Sequence, residues 1–233
     1  MNKIGIIGAM EIEVETLKSH MKITGTLEKA SMNFLEGTLN DVSVVIVRSG
    51  IGKVNAGICV QILADVFHVT HIINTGVAGS LNASIDIGDI VVSTDTLYHD
   101  VDATGFGYPV GEVPQLGTLS FKADEQMASI ARSSCEIVNP EIKVFEGRIV
   151  SGDQFVSSPD VKKSILGHFP DSLCTEMEGA AISHASWLNH IPFVIIRAIS
   201  DKADDSAHMD YPTFEKQAAE HSAKLVEHMI AQL

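Results

Sequence analysis

Basic residues are scarce in this chain: 16 lysines and arginines stand against 30 aspartates and glutamates, a formal charge of −14 over 233 residues. Such an acidic chain repels a phosphate backbone, which argues against nucleic-acid binding and favours a small neutral or zwitterionic ligand. Cysteine is scarcer still. Cys59, Cys135 and Cys174 are odd in number, widely spaced and without a Cys-x-x-Cys pair, a pattern of neither a disulfide framework nor a zinc site. They are expected to be packing residues in a reducing cytoplasm. No run approaches the ~18 consecutive apolar residues of a membrane-spanning helix, and the stretch Pro192–Ile196 stops at Arg197. Gly5, Gly8 and the glutamates from Glu11 to Glu15 interrupt any signal-peptide core. The expectation is a soluble cytoplasmic protein with no membrane partner.

What is present fits one α/β domain. Apolar residues make up 45% of the chain, and no repeat, biased tract or linker divides it, so residues 1–233 are expected to fold as a single unit. Hydrophobic patterning predicts strands at Lys3–Gly8, Asn33–Leu39, Val42–Val47, His71–Thr75, Asp89–Tyr98, Lys143–Val150 and Pro192–Ile199. Helices are predicted near Glu11–His20, Val54–Phe67, Lys122–Cys135, Pro159–Gly167, Gly179–Asn189 and Pro212–Ile230. Asn40-Asp41 reads as a turn between strands, and Gly76-Val-Ala-Gly79 as a small-residue turn after one. Strands alternating with helices argue a largely parallel or mixed sheet. His99–Leu119 is long, unperiodic and rich in Gly and Pro, which reads as a functional or interface loop.

A ligand in such a fold sits beyond the carboxyl ends of the strands. Those ends carry Gly8–Glu13, Gly76–Gly79, Ser151–Phe155 and Arg197–Asp201. Several bear carboxylates, as general acid–base chemistry requires. The common cofactor boxes do not fit. Gly5-x-x-Gly8 lacks dinucleotide spacing, and Gly50-Ile-Gly-Lys53 lacks the upstream glycine and following Ser/Thr of a phosphate loop, since Val54 follows the lysine. His99, Asp100 and Asp102 lack the rest of a metal shell. No cofactor and no metal are expected.

In order along the chain stand Gly5-Ile-Ile-Gly-Ala-Met-Glu-Ile-Glu13, Ser49-Gly-Ile-Gly-Lys53, Asn74-Thr-Gly-Val-Ala-Gly79, Gly88-Asp-Ile-Val-Val-Ser93, Ser151-Gly-Asp153, Glu176-Met-Glu178 and Arg197-Ala-Ile-Ser-Asp201. Together they closely resemble the bacterial 5′-methylthioadenosine/S-adenosylhomocysteine nucleosidases of the purine nucleoside phosphorylase superfamily. The resemblance covers essentially the whole chain. It implies a three-layer α/β/α fold on a central mixed sheet, a homodimer, and hydrolysis of the N-glycosidic bond of methylthioadenosine, S-adenosylhomocysteine and 5′-deoxyadenosine in methionine salvage.

Expelling adenine requires a proton on its N7, and the resemblance assigns that general acid to Asp201, helped by Ser200. The base that activates water aligns with Glu13. Acidic residues are favoured in a first helical turn by the dipole alone, which suits Glu11 and Glu15. Glu13 lies about 200° from Glu11 at about 100° per residue and can point elsewhere. Glu178 resembles the carboxylate that grips both ribose hydroxyls, Met177 the packing beneath the sugar, Arg197 the site arginine and Glu176 a residue near ribose and water. Phe155 resembles the ring stacked on adenine, and Val156 the backbone that reads its edge. Ala78 and Gly79 let the main chain come close. Met10, Ile51 and Tyr211 match the pocket for the 5′-alkylthio group, and Phe106 and Pro114 match residues that the family supplies from the partner subunit. Val77 stands where many relatives carry a small polar residue, which removes one side-chain hydrogen bond.

Three alternatives accompany this reading. A phosphorylase would need cations around its nucleophile, but there are four arginines, Arg48, Arg132, Arg148 and Arg197, and the first loop presents glutamates. A relative cleaving 6-amino-6-deoxyfutalosine is compatible with the motifs. A nucleoside-binding protein without turnover would have no need for Glu13, Glu178 and Asp201 together.

Overall fold

Strand β1 (Lys3–Gly8) is buried almost throughout because it lies between two parallel neighbours, β4 (Val42–Arg48) and β5 (His71–Ser80). Burial on both faces explains why such strands read as unbroken apolar runs. The computed structural model describes residues 2–233, apart from the side chain of Met209. Its further strands are β2 (Lys22–Lys29), β3 (Met32–Leu39), β6 (Ile90–Tyr98), β7 (Phe121–Lys122), β8 (Val144–Ser151), β9 (Ser172–Glu176) and β10 (Phe193–Asp201). They form one ten-stranded mixed sheet in the order β10-β6-β8-β9-β5-β1-β4-β3-β2, with β7 on β6. An additional parallel pairing of β10 with β5 joins β5, β10, β6, β8 and β9 into a closed ring.

Helices cover both faces. On one, α2 (Lys53–Asp65) and α5 (Gly179–Leu188) bury Cys59, Val60, Leu63 and Ile182 against the strands. On the other, α1 (Glu15–His20), α3 (Glu125–Val138) and α6 (Ala207–Met229) bury Leu17, Met127, Ala131 and Val226. The remaining helix, α4 (Pro159–His168), opens with proline in its first turn, where the missing N–H is not needed. The result is the three-layer α/β/α architecture. Cys59, Cys135 and Cys174 are free and buried.

Several sequence-based boundaries need correction. Glu11–Glu13 form a 3₁₀ turn rather than the first turn of a continuous helix, and α1 starts at Glu15. Gly76–Gly79 are not a turn: they lie within β5, and β10 likewise continues to Asp201. The glycines serve close approach instead. A Cβ on Gly76 would stand 2.6 Å from Glu13 Oε1, and one on Gly79 would stand 2.7 Å from Asp201 Oδ1. Helix α3 starts later than predicted because Asp124 caps it, accepting from Met127 N at 2.9 Å, while Phe121–Lys122 pair with β6. Helix α6 begins ahead of Pro212, which sits inside it. Asn40 and Asp41, with φ of 50° and 62°, make the expected turn between β3 and β4. The 99–119 segment is irregular apart from a 3₁₀ turn at Thr104–Phe106.

Candidate active site

A cavity of about 480 Å³ opens beyond the ends of β1, β5, β9 and β10, within the range of small-molecule sites. Its carboxyl side chains are Glu13, Glu176, Glu178 and Asp201, each held differently.

Glu13 is buried at the end of the 3₁₀ turn. Its Oε2 accepts from the backbone of Ala9 at 2.7 Å and Met10 at 2.9 Å, and its Oε1 accepts from Val77 N at 3.0 Å. Burial pushes its carboxyl above the usual range, against the opposing pull of Arg197 and those backbone groups. It is a buried acid whose anion already has three donors in place.

Glu176 closes β9. It receives Arg197 Nη2 at 2.5 Å, Glu178 N at 3.0 Å, Gly179 N at 2.7 Å, and the Ser151 hydroxyl. Burial would raise its carboxyl, but Arg197, Ser151 and Gly179 outweigh it and hold Glu176 below the ordinary range. Glu178, two residues on, accepts only Gly52 N at 2.8 Å among these backbone donors. Burial and the adjacent Glu176 charge push it up to about 8. One of the pair is thus an anchored anion and the other a reservoir for a proton.

Asp201 ends β10. Its Oδ1 accepts Ala203 N at 2.8 Å and its Oδ2 accepts the Ser200 hydroxyl at 2.9 Å. Burial raises its carboxyl against these two donors, and Asp210 and Asp204 add to the rise. At the other side, Phe155 meets the edge of Tyr211 at 5.7 Å between ring centroids, and Tyr211 donates its hydroxyl to Met10 Sδ at 3.2 Å.

Comparison with known proteins agrees with this geometry. Residues 3–231 match the phosphorylase superfamily. A 5′-methylthioadenosine/S-adenosylhomocysteine nucleosidase of Staphylococcus haemolyticus is 41% identical over 97% of this chain and 98% of its own. A nucleosidase of the same name from Neisseria meningitidis, crystallised with methylthio-immucillin-A, superposes with a TM-score of 0.96 at 39% identity, covering 100% of both chains. One from Streptococcus pneumoniae, with the transition-state inhibitor MT-ImmA, gives 0.92 at 38% identity over 98% of each chain. The chain belongs to the 5′-methylthioadenosine/S-adenosylhomocysteine nucleosidase family.

In this nucleosidase-family chain, Met10, Glu13, Ile51, Ala78, Gly79, Phe155, Val156, Glu176, Met177, Glu178, Ser200, Asp201 and Tyr211 all line the one cavity. Three predicted site residues do not. Arg197 stands behind the wall, 1% exposed, with Nη2 on both Glu176 and Asn74 Oδ1. Phe106, 87% exposed, and Pro114, also exposed, lie outside the lining. Sequence reading missed Thr175, His208 and Pro212 in the lining, and it placed Ala9, Gln154, Asn74 and Ser151 in motifs or strand-end loops without a role, the first two of which line the cavity while the last two bond to its wall. Asn74 was findable as a polar residue ending the apolar run from Ile72. His208 had no signal, because its helix was read as starting later. Asp100, considered as a metal ligand, accepts Lys53 Nζ at 2.6 Å.

Proposed function

We infer that this protein hydrolyses the N-glycosidic bond of 5′-methylthioadenosine and S-adenosylhomocysteine, releasing adenine and the thioribose sugar. The observation that carries the hydrolytic reading is one of charge: two buried carboxyls with raised proton affinity, Glu13 and Asp201, share a cavity whose lining contains no lysine or arginine. Of the arginines, Arg132 pairs with Glu146, Arg148 with Asp95 and Arg197 with Glu176. A phosphate nucleophile would find no free cation there, whereas water needs a base.

The assigned roles are these. Asp201, whose proton affinity burial raises, donates to adenine N7 as the C1′–N9 bond breaks and its electron pair leaves with the base. Water attacks C1′ from the other face of the sugar and gives its proton to Glu13. Exchange with solvent then removes the proton from Glu13 and restores one to Asp201. Arg197 and the backbone donors favour the Glu13 carboxylate that this step needs. Glu178 grips the ribose diol, Met177 and Met10 pack the sugar and its thioether, and Phe155 stacks on adenine. The test is adenine release from methylthioadenosine with and without phosphate. Free 5-methylthioribose, formed equally in both, is expected. A sugar 1-phosphate and a strict need for phosphate would replace this reading by phosphorolysis.

Glu178 gives a second expectation. Burial and the Glu176 charge push its carboxyl up to about 8, so it is mostly protonated near pH 7, and two ribose hydroxyls donating to it favour the carboxylate. Binding an uncleavable adenosine analogue near pH 7 is therefore expected to release a proton, visible as a calorimetric heat that depends on the buffer's ionisation enthalpy. Above about pH 9 the dependence should vanish. Heats that are equal in all buffers near pH 7 would contradict the assignment.

A homodimer in the cytoplasm belongs to the same proposal. It is supported by the exposed apolar side chains Val54 and Ile58 of α2, Trp187 and Leu188 of α5, and Phe106, on a fold that buries its cysteines as free thiols. Exposed apolar side chains on two packed helices favour a partner, and Phe106 and Pro114 would then complete the neighbouring site. Light scattering should give about twice the 25.0 kDa chain mass. A monomer at micromolar concentration would remove this part.

A further inference from the structure

Helix α4 starts directly after the loop that carries Phe155 and Val156, and its Lys162 is only partly exposed. The Lys162 ammonium donates to Ser80 O at 2.9 Å and to Lys202 O at 2.6 Å. The location of these two carbonyls is what matters. The parallel ladder between β5 and β10 shifts register after Ile199 and ends with Asp201 opposite Gly79. Ser80, the last residue of β5, and Lys202, the residue after β10, come next along the two chains, so one cation closes the ladder at Asp201. The side chain of Lys202 reaches elsewhere, donating to Ile85 O at 2.5 Å, and cannot substitute for it.

Burial pulls Lys162 below the ordinary lysine range, Asp204 and Asp201 pull it back, and Lys202 opposes them. Asp201 itself faces Asp210 and Asp204. Besides these aspartates and lysines, the titratable side chains of Tyr211 and Cys174 also interact with Asp201. Lys162 thus has two connections to the site. Through its helix it is tied to the loop of Phe155, and through the Lys202 carbonyl it holds the peptide that follows Asp201.

We propose that Lys162 is a positioning residue for the general acid: it fixes Asp201 relative to the adenine loop, and its charge stabilises the carboxylate that remains after Asp201 has given its proton to the base. Charge-assisted bonds to two carbonyls suit the first task, and a fixed cation near a developing anion suits the second. The inference rests on the assignment of Asp201 as the acid.

Four proteins test it: the parent, K162M, K162R and D201N, each assayed for adenine release from methylthioadenosine across pH, with thermal melting to confirm folding. K162M is expected to lose about tenfold in kcat, at the low end of acid–base effects because the acid is still present, with KM within about threefold. Loss of a nearby cation raises the proton affinity of a carboxyl, so the alkaline limb of kcat/KM, where Asp201 loses its proton, should move to higher pH in K162M. K162R should recover most of kcat and return the limb. The proposal is overturned by a K162M rate within about twofold of the parent, or by a lowered rate with an unmoved limb. It is equally overturned if K162R fails to restore the limb. An active D201N would instead remove the acid assignment itself, and an inactive parent would remove the proposed function, so the three failures are distinguishable. If K162M melts early, K162Q with the same pH profile replaces it.

Discussion

Replacing Asp201 by asparagine is expected to lower kcat on 5′-methylthioadenosine by about 10²–10⁴-fold, the range general acids contribute. The variant should still fold and bind an adenosine analogue. The amide is nearly isosteric with the protonated carboxyl: its Oδ1 can keep the bond from Ala203 N, and its NH2, standing in place of Oδ2, can donate to Ser200 Oγ instead of accepting from it, but it has no proton to transfer to N7. Stability has the opposite sign. Asp201 has a raised pKa in the folded chain, so its contribution is full below the unfolded-state value and is lost as pH rises through the folded one. Near neutral pH the asparagine variant should therefore melt no lower than the parent. Steady-state adenine release, analogue affinity and a melting curve check this together. Activity within about tenfold of the parent would rule out Asp201 as the acid.

Replacing Arg197 by methionine should act first on the fold. The guanidinium is 1% exposed and is bonded to Glu176, Asn74 Oδ1 and its neighbour Ile196 O. Methionine fills part of the volume but leaves Glu176 buried without its counter-charge, a change that typically costs about 3–5 kcal/mol. Denaturant titration should show that loss, with the midpoint falling at an unchanged slope. Adding E176Q to the same chain should recover part of it, because the orphaned charge is then gone. A loss below about 1 kcal/mol would mean that the Arg197–Glu176 pair is a minor part of the structure.

The sequence made the interior of the sheet legible and its margins obscure. Strands buried on both faces, such as β1 and β10, read directly as apolar runs. Strand β2 did not, because it is almost wholly exposed and lies at the end of the strand order, so no pattern of burial marks it. Strand β9 did not either: Ser172–Glu176 is short and its polar residues are buried. Gly76 and Gly79 misled because small residues signal turns, whereas here they make room for Glu13 and Asp201 beside a continuing strand. The resemblance to a nucleosidase family, carried by motifs at strand ends, agrees with the family comparisons. The same motifs named most of the cavity lining, yet could not show that Arg197 stands behind the wall, since a buried and an exposed arginine are alike in sequence. Lys162 had no signal at all. Its importance comes from two backbone carbonyls that become neighbours only when β5 and β10 pair.

The ring formed by β5, β10, β6, β8 and β9 also bears on how this chain meets its own copies in a crowded solution. A sheet closed on itself at one end has no long free hydrogen-bonding rim there beyond the two-residue β7, so the long open rim for intermolecular strand addition is at the other end, on β2. That strand has a bulge between Ile23 and Gly25 and exposes Lys22, Glu28 and Lys29. A kinked, charged rim is a poor template for a second chain. The fold therefore concentrates most of its liability to fibrous self-pairing in one edge strand and blunts it there.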